Sequence, residues 1–368
     1  MPHWRLFILG CLFIHSVHAA GPQVVAKMNQ TIWQQPINSI ESFNQASRAT
    51  ILVYASELKT MSAMNDAAMK SEFKIKTIDR TSVNTWLAKE QNLIVKNYQN
   101  AAQTCQSNDW TCIKADHFDE LVNQTAQLNI PASLLSWQST IKPFAHHYLA
   151  EQLRLAALFP KVSSEIMTFN ANEWTGDELP DRQFLLTFDD GPSPTHGDTD
   201  ATIAMLNSQH KTAVFFVLGE NWQARQHKTN DLIHLYQGQC VALHGFKHES
   251  HAKWAKWQDS IIRTQSLVKQ TDSTLFTPLF RPPYGQRKAD SGAFFQQQGL
   301  QVALWNLDSQ DWNNKVNSDD VLNRMLTLML IKRHGVLLFH DIHGKAKTAL
   351  PVLFAKLGDA VQWQDCHH

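Results

Sequence analysis

Phe184-Leu185-Leu186-Thr187-Phe188-Asp189-Asp190-Gly191-Pro192 reads as an apolar strand that runs into two adjacent carboxylates. Neighbouring side chains on a strand point to opposite faces. Asp189 and Asp190 can therefore share a site only if the strand stops there, and Gly191-Pro192 stops it. In isolation the same stretch also reads as a polar turn. What lies around it decides. Short apolar runs recur at 213–218, 241–244, 279–281, 302–305 and 336–339, with amphipathic stretches such as 201–209, 259–270 and 319–332 between them. That alternation predicts parallel βα units, and six or more of them favour a barrel over an open sheet. In such a barrel the C-terminal strand ends share one face, where active sites collect. Asp189-Asp190, His244, Arg281, Asp308 and His340 all stand at predicted strand ends, so five distant segments are expected to meet in one cleft.

The region before this differs. Residues 20–170 read as a mainly helical N-terminal domain: Trp86, Leu87, Leu93, Ile94 and Tyr98 recur at helical spacing, as do Tyr148, Leu149, Leu153 and Ala156. No catalytic constellation is visible there. Gly176 and Pro180 mark 171–180 as a linker, and 181–368 as the α/β domain. Residues 1–19 read as a cleaved export signal, with Arg5, an apolar run over 6–14 and small residues at Val17-His18-Ala19. This predicts a periplasmic or secreted protein. A lipoprotein site at Cys11 is the alternative. No stretch is long and apolar enough for a stable membrane span.

Lys plus Arg and Asp plus Glu are 33 each, which gives no footing for a polyanion and predicts no nucleic-acid partner. The 18 His and 12 Trp permit metal sites and sugar stacking without deciding for either. Past the signal, Cys105, Cys112, Cys240 and Cys366 remain. In an exported chain an even count suggests disulfides. Local pairing of Cys105 with Cys112 is the simplest choice and leaves Cys240 for Cys366; free buried thiols are the other reading.

His244-Gly245-Phe246-Lys247-His248 offers two imidazoles four residues apart. With Asp190 they would make a two-His, one-carboxylate site with positions open for water or substrate. His251 is a third candidate. Arg281-Pro282-Pro283-Tyr284-Gly285 is stiffened by its prolines. Asp308-Ser309-Gln310-Asp311-Trp312 and Leu337-Leu338-Phe339-His340-Asp341 complete the set, with Asp341 and His343 read as polar rim residues.

This ordered set resembles the NodB-like polysaccharide deacetylases, carbohydrate esterase family four. The matching stretches are Thr187 to Pro192, His244 to His248, Arg281 to Gly285, Asp308 to Trp312 and Leu337 to Asp341. The resemblance covers about 180–345 and leaves the N-terminal half unexplained. One departure is Gly245, where the family usually has Ser or Thr. The resemblance implies a distorted (β/α) barrel. It also implies a metal site of Asp190, His244 and His248, usually for Zn²⁺. Asp189 would be the general base and His340 the general acid, with Arg281 orienting the base and Asp311 the acid. The Tyr284 amide would hold the oxyanion, and Trp312 and Leu338 would line the acetyl pocket. The expected activity is metal-dependent hydrolysis of acetamido groups on an N-acetylglucosamine glycan of peptidoglycan or chitin type. An O-acetyl sugar esterase and a non-catalytic carbohydrate-binding protein are the alternatives.

Overall fold

A computed structural model describes residues 24–28, 33 and 35–367. The predicted signal and Cys11 lie outside the described residues. Five helices come first: α1 (Ile40–Ser62), α2 (Asp66–Phe73), α3 (Arg80–Ala102), α4 (Phe118–Thr125) and α5 (Leu135–Leu158). Side chains cap several of them. Ser39 and Ser42 form a reciprocal capping box on α1, and Asp79 accepts the Ser82 N–H on α3.

Nine strands follow. They are β1 (Glu173–Trp174), β2 (Gln183–Asp189), β3 (Val214–Val217), β4 (Cys240–Leu243), β5 (Phe276–Phe280), β6 (Gln301–Ala303), β7 (Leu307–Asp308), β8 (Gly335–His340) and β9 (Gln362–Trp363). Between them run α6 (Asp198–Ser208), α7 (Gly219–Thr229), α8 (Leu232–Leu235), α9 (Trp257–Thr271), α10 (Gly292–Gln297), α11 (Ser318–Lys332) and α12 (Lys345–Leu357). Among the described residues every strand pair is parallel, in the order β1-β6-β5-β4-β3-β2-β8-β7, with β9 on β2. This is the expected distorted α/β barrel. Among the described strands the edges β1 and β7 do not pair, so the curled sheet stays open along one seam.

The seam is closed by side chains. The chain crosses it between β6 and β7. There Asn306 donates to Asp177 Oδ1 and to the His334 carbonyl, and its Oδ1 accepts the Val336 N–H. The stretch 171–180, read as a linker, contributes the edge strand β1 and the buried Glu173. Its pattern was illegible because a two-residue strand has no periodicity. Alternation along β2 divides the packing. Phe184, Leu186 and Phe188 join the large outer core, and Leu185 packs inside the barrel with Val214, Phe216, Ala242 and Ala303. The outer core is continuous with that of the N-terminal helices. α1 lies along α11, where Ser47 donates to the Leu330 carbonyl and Asn97 of α3 to those of Ile331 and Lys332.

Both expected disulfides form, Cys105–Cys112 and Cys240–Cys366. The second ties the C-terminus to the foot of β4, at the barrel's inner core. No helix among the described residues is long and apolar enough to cross a membrane.

Candidate active site

Parallel register sets the site. β2 and β8 pair so that Asp189 stands opposite His340. β3 and β4 pair Val217 with Leu243, and β4 and β5 pair Leu243 with Phe280. His244 and Arg281 therefore leave adjacent strand ends. The Arg281 N–H donates to the Leu243 carbonyl, and the His244 N–H to that of Val217.

Asp189 is 2% exposed and Arg281 0%. Arg281 Nη1 donates to Asp189 Oδ1 at 2.8 Å and to Thr187 Oγ1 at 2.8 Å. Its Nε and Nη2 donate to the Ala303 and Leu304 carbonyls, and the guanidinium lies over the Phe216 ring. Burial lowers the pKa of Arg281, against the opposing charge of Asp189. One carboxylate oxygen is thus anchored from below. The other, Oδ2, lies 3.8 Å from His244 Nε2.

Asp190 turns out of the strand in a left-handed conformation (φ 78°). Its Oδ1 lies 3.4 Å from His244 Nε2 and 3.5 Å from His248 Nε2. The three donor atoms lie within 4.8 Å of one another. His244 Nδ1 is 2.7 Å from the Arg281 carbonyl, which fixes that nitrogen as the N–H and leaves Nε2 its lone pair. Burial, then the neighbouring His244, pushes His248 down to about 4, so it is neutral at neutral pH. Asp190 Oδ1 is buried without a hydrogen-bond partner. Burial would raise its pKa, but the nearby His244, with His340 and His248, holds it well below the usual carboxylate range. A buried carboxylate oxygen with no hydrogen-bond partner, close to two imidazole nitrogens, fits a divalent cation.

His340 Nδ1 lies 2.7 Å from Asp311 Oδ1, and its backbone N–H donates to Asp311 Oδ2. Burial opposes charge on the ring, but Asp311, aided by Asp190 and Asp189, pushes it up to about 10. Lys345 holds this loop by donating to the Asp311 and Asn313 carbonyls. Leu338 is buried, while Trp312 is 39% and Tyr284 45% exposed. Tyr284 stacks edge-on against His248 at 4.4 Å. It carries a left-handed backbone (φ 59°), as does Gly285 (φ 65°).

Two readings are corrected. Asp341 is 0% exposed, not a rim residue. Its carboxylate packs against Gly191, where a side chain would collide with it, and burial pushes it up to about 7. His251, the third ligand candidate, is buried elsewhere. Its Nδ1 faces the Glu249 carbonyl and its Nε2 the Ser260 hydroxyl. This also accounts for Gly245. A Cβ there would stand 2.6 Å from the His251 ring, and Ser260 Oγ already accepts the Phe246 N–H at 2.7 Å. The loop's hydrogen bond comes from α9, the helix that follows it.

Asp189, His340, Asp190, His244 and His248 thus converge at the mouth of one α/β barrel, the face where active sites collect in such folds. Residues 176–303 match the family model described as polysaccharide deacetylase. Over those residues the chain is similar to the NodB-like polysaccharide deacetylases. It is 31% identical over 196 residues to chitin deacetylase 1 of Saccharomyces cerevisiae, covering 50% of this chain and 60% of that protein. It is 30% identical over 179 residues to the peptidoglycan-N-acetylglucosamine deacetylase PgdA of Listeria monocytogenes, covering 48% of this chain and 36% of that one. A bifunctional xylanase/xylan deacetylase of Cellvibrio japonicus is 31% identical over 131 residues, covering 35% of this chain and 19% of that one. The chain thus spans less than two thirds of each of these relatives.

Proposed function

We propose that this chain is a metal-dependent deacetylase, acting on acetamido groups of N-acetylglucosamine-containing glycans of peptidoglycan or chitin type and releasing acetate. The supporting observation is the pairing of Asp189, anchored by Arg281, with His340, anchored by Asp311, across adjacent strands beside Asp190, His244 and His248. Those last three residues would hold the cation, with zinc the first choice. When bound, the ion supplies a more acidic water and a polarised carbonyl.

The residues divide the remaining work. Asp189 Oδ2 takes the proton of the attacking water, because Oδ1 is committed to Arg281. The Tyr284 backbone amide stabilises the developing oxyanion. His340 gives its proton to the departing nitrogen, and Asp311 keeps it charged until then. Leu338 and Trp312 line the pocket for the acetyl methyl. The sequence of 1–19 supports export to the periplasm or beyond.

The deciding experiment measures acetate release from chitin oligomers, peptidoglycan and acetylated xylan, with and without chelator. Release from one of the first two, lost on chelation and restored by Zn²⁺, is expected. Release from xylan alone would make the chain an O-acetyl esterase, and binding without release a carbohydrate-binding protein. Asp189→Asn should retain one metal per chain and lose roughly 10²–10⁴-fold in kcat, the usual worth of a general base. Metal loss in that variant would refute the division between the two carboxylates.

A further inference from the structure

Arg287 lies two residues beyond Gly285, outside every stretch that carries the resemblance. It is 2% exposed and all five of its side-chain N–H bonds are used. Nε donates to Glu173 Oε1 at 2.8 Å and Nη2 to Glu173 Oε2. Nη1 donates to the carbonyls of Ser164 and Gly285, both at 2.9 Å, and Nη2 to that of Met167 at 3.0 Å. The backbone is tied as well. Ser163 Oγ accepts the Arg287 N–H at 2.9 Å and donates to the Arg287 carbonyl at 2.8 Å. Glu173 also accepts the Phe169 N–H. One guanidinium thus joins the chain leaving α5, the edge strand β1 and the loop of Tyr284.

The loop needs such a hold. Tyr284 and Gly285 are consecutive left-handed residues, a conformation that a non-glycine residue rarely adopts and that persists only where the surroundings enforce it. Backbone is pressed behind them: a Cβ on Gly285 would stand 2.7 Å from the Glu165 nitrogen and 3.0 Å from Ser164. The segment from Ser163 to Glu173 is the wall against which the loop is bent.

We infer that Arg287 is a positioning residue, which with Glu173 and Ser163 fixes the Tyr284 amide for the oxyanion and makes the chain between α5 and β1 a working part of the active site. This rests on the deacetylase reading for its kinetic arm only. Arg287→Lys keeps the charge and loses the five-fold fork. The expected result is a fall in kcat of roughly 10²-fold, the scale of a small misplacement. KM should stay within about two-fold, with metal content and pH profile unchanged. Ser163→Ala, which removes only the two backbone ties, should lower kcat several-fold. Hydrogen exchange supplies an arm independent of activity: amides over 284–287 should exchange faster in both variants, with α9 and α11 unchanged. Unchanged kcat and exchange in folded Ser163→Ala overturn the inference, as does a rise in KM alone in folded Arg287→Lys. If Arg287→Lys fails to fold, Ser163→Ala decides. A wild type that releases no acetate refutes the deacetylase reading, while faster loop exchange still upholds the clamp.

Discussion

At the residue scale, the site works by giving each titrating group its own partner. Arg281 engages one oxygen of Asp189 and Asp311 engages His340, so the proposed base and acid sit side by side, each with its own partner. The raised His340 has a signed consequence. It is charged at neutral pH, and it loses that charge as pH rises through about 10. Its contribution to stability is full below its unfolded value near ~6.5 and is lost through the same upper range. Asp311→Asn removes the largest favourable influence. The alkaline limb of the kcat–pH profile should then move down towards the ordinary histidine range, with kcat itself reduced. An alkaline limb that does not move in that variant would exclude His340 as the acid. The motif residues were legible as an ordered set, but the burial of Asp341 and His251 was not. Whether such a polar group faces solvent or the core depends on space left by a glycine packed against it, here Gly191 beside Asp341 and Gly245 beside His251.

At the element scale, α3 and α5 do for the barrel what a further strand would do. They lie over the open seam, where Trp86, Glu90 and Tyr148 face Trp305, Asn306 and Asp308 across a polar cavity. Lys332 at the end of α11 puts its ammonium on both oxygens of Glu90 at 2.8 Å, and Tyr54 donates to the same carboxylate. Such a buried pair is costly to break from one side. Lys332→Met should destabilise by about 3–5 kcal/mol in urea unfolding, because it strands the Glu90 charge. Glu90→Gln added to it should restore much of that loss. Additive losses in the double variant would show that the pair does not couple the helices to the barrel. The main strands and three of the connecting helices were readable from periodicity. β1, β7 and β9 were not, since two residues carry no period and only pairing defines them.

At the scale of the whole molecule, the joint between helices and barrel contains an acid held neutral. Burial, then the nearby Asp308, pushes Glu165 up to about 8. An acid whose pKa rises on folding takes up a proton as the chain folds. Its full stability is present below the unfolded value near ~4.5 and declines as pH climbs to about 8. Glu165→Gln should match wild type at pH 4 and be more stable at pH 9 by roughly 1–3 kcal/mol, after allowance for its partial exposure. Parallel stability–pH curves for the two proteins would exclude this.

The sequence by itself determined the strand that ends on Asp189-Asp190, the alternation that makes a parallel barrel and the residue types at the mouth. These are local patterns, or depend only on which strand ends share a face. The tertiary structure decided the rest: that Cys240 pairs with Cys366, which carboxylate oxygen is anchored, that Asp190 Oδ1 faces His244 and His248 without a hydrogen-bond partner, and that the seam is closed by Asn306 and the N-terminal helices. It also decided that Arg287 reaches 114 residues back to Glu173. Each is a contact between segments far apart in the chain. Such contacts follow from burial and hydrogen-bond satisfaction in the packed state, which no local pattern encodes.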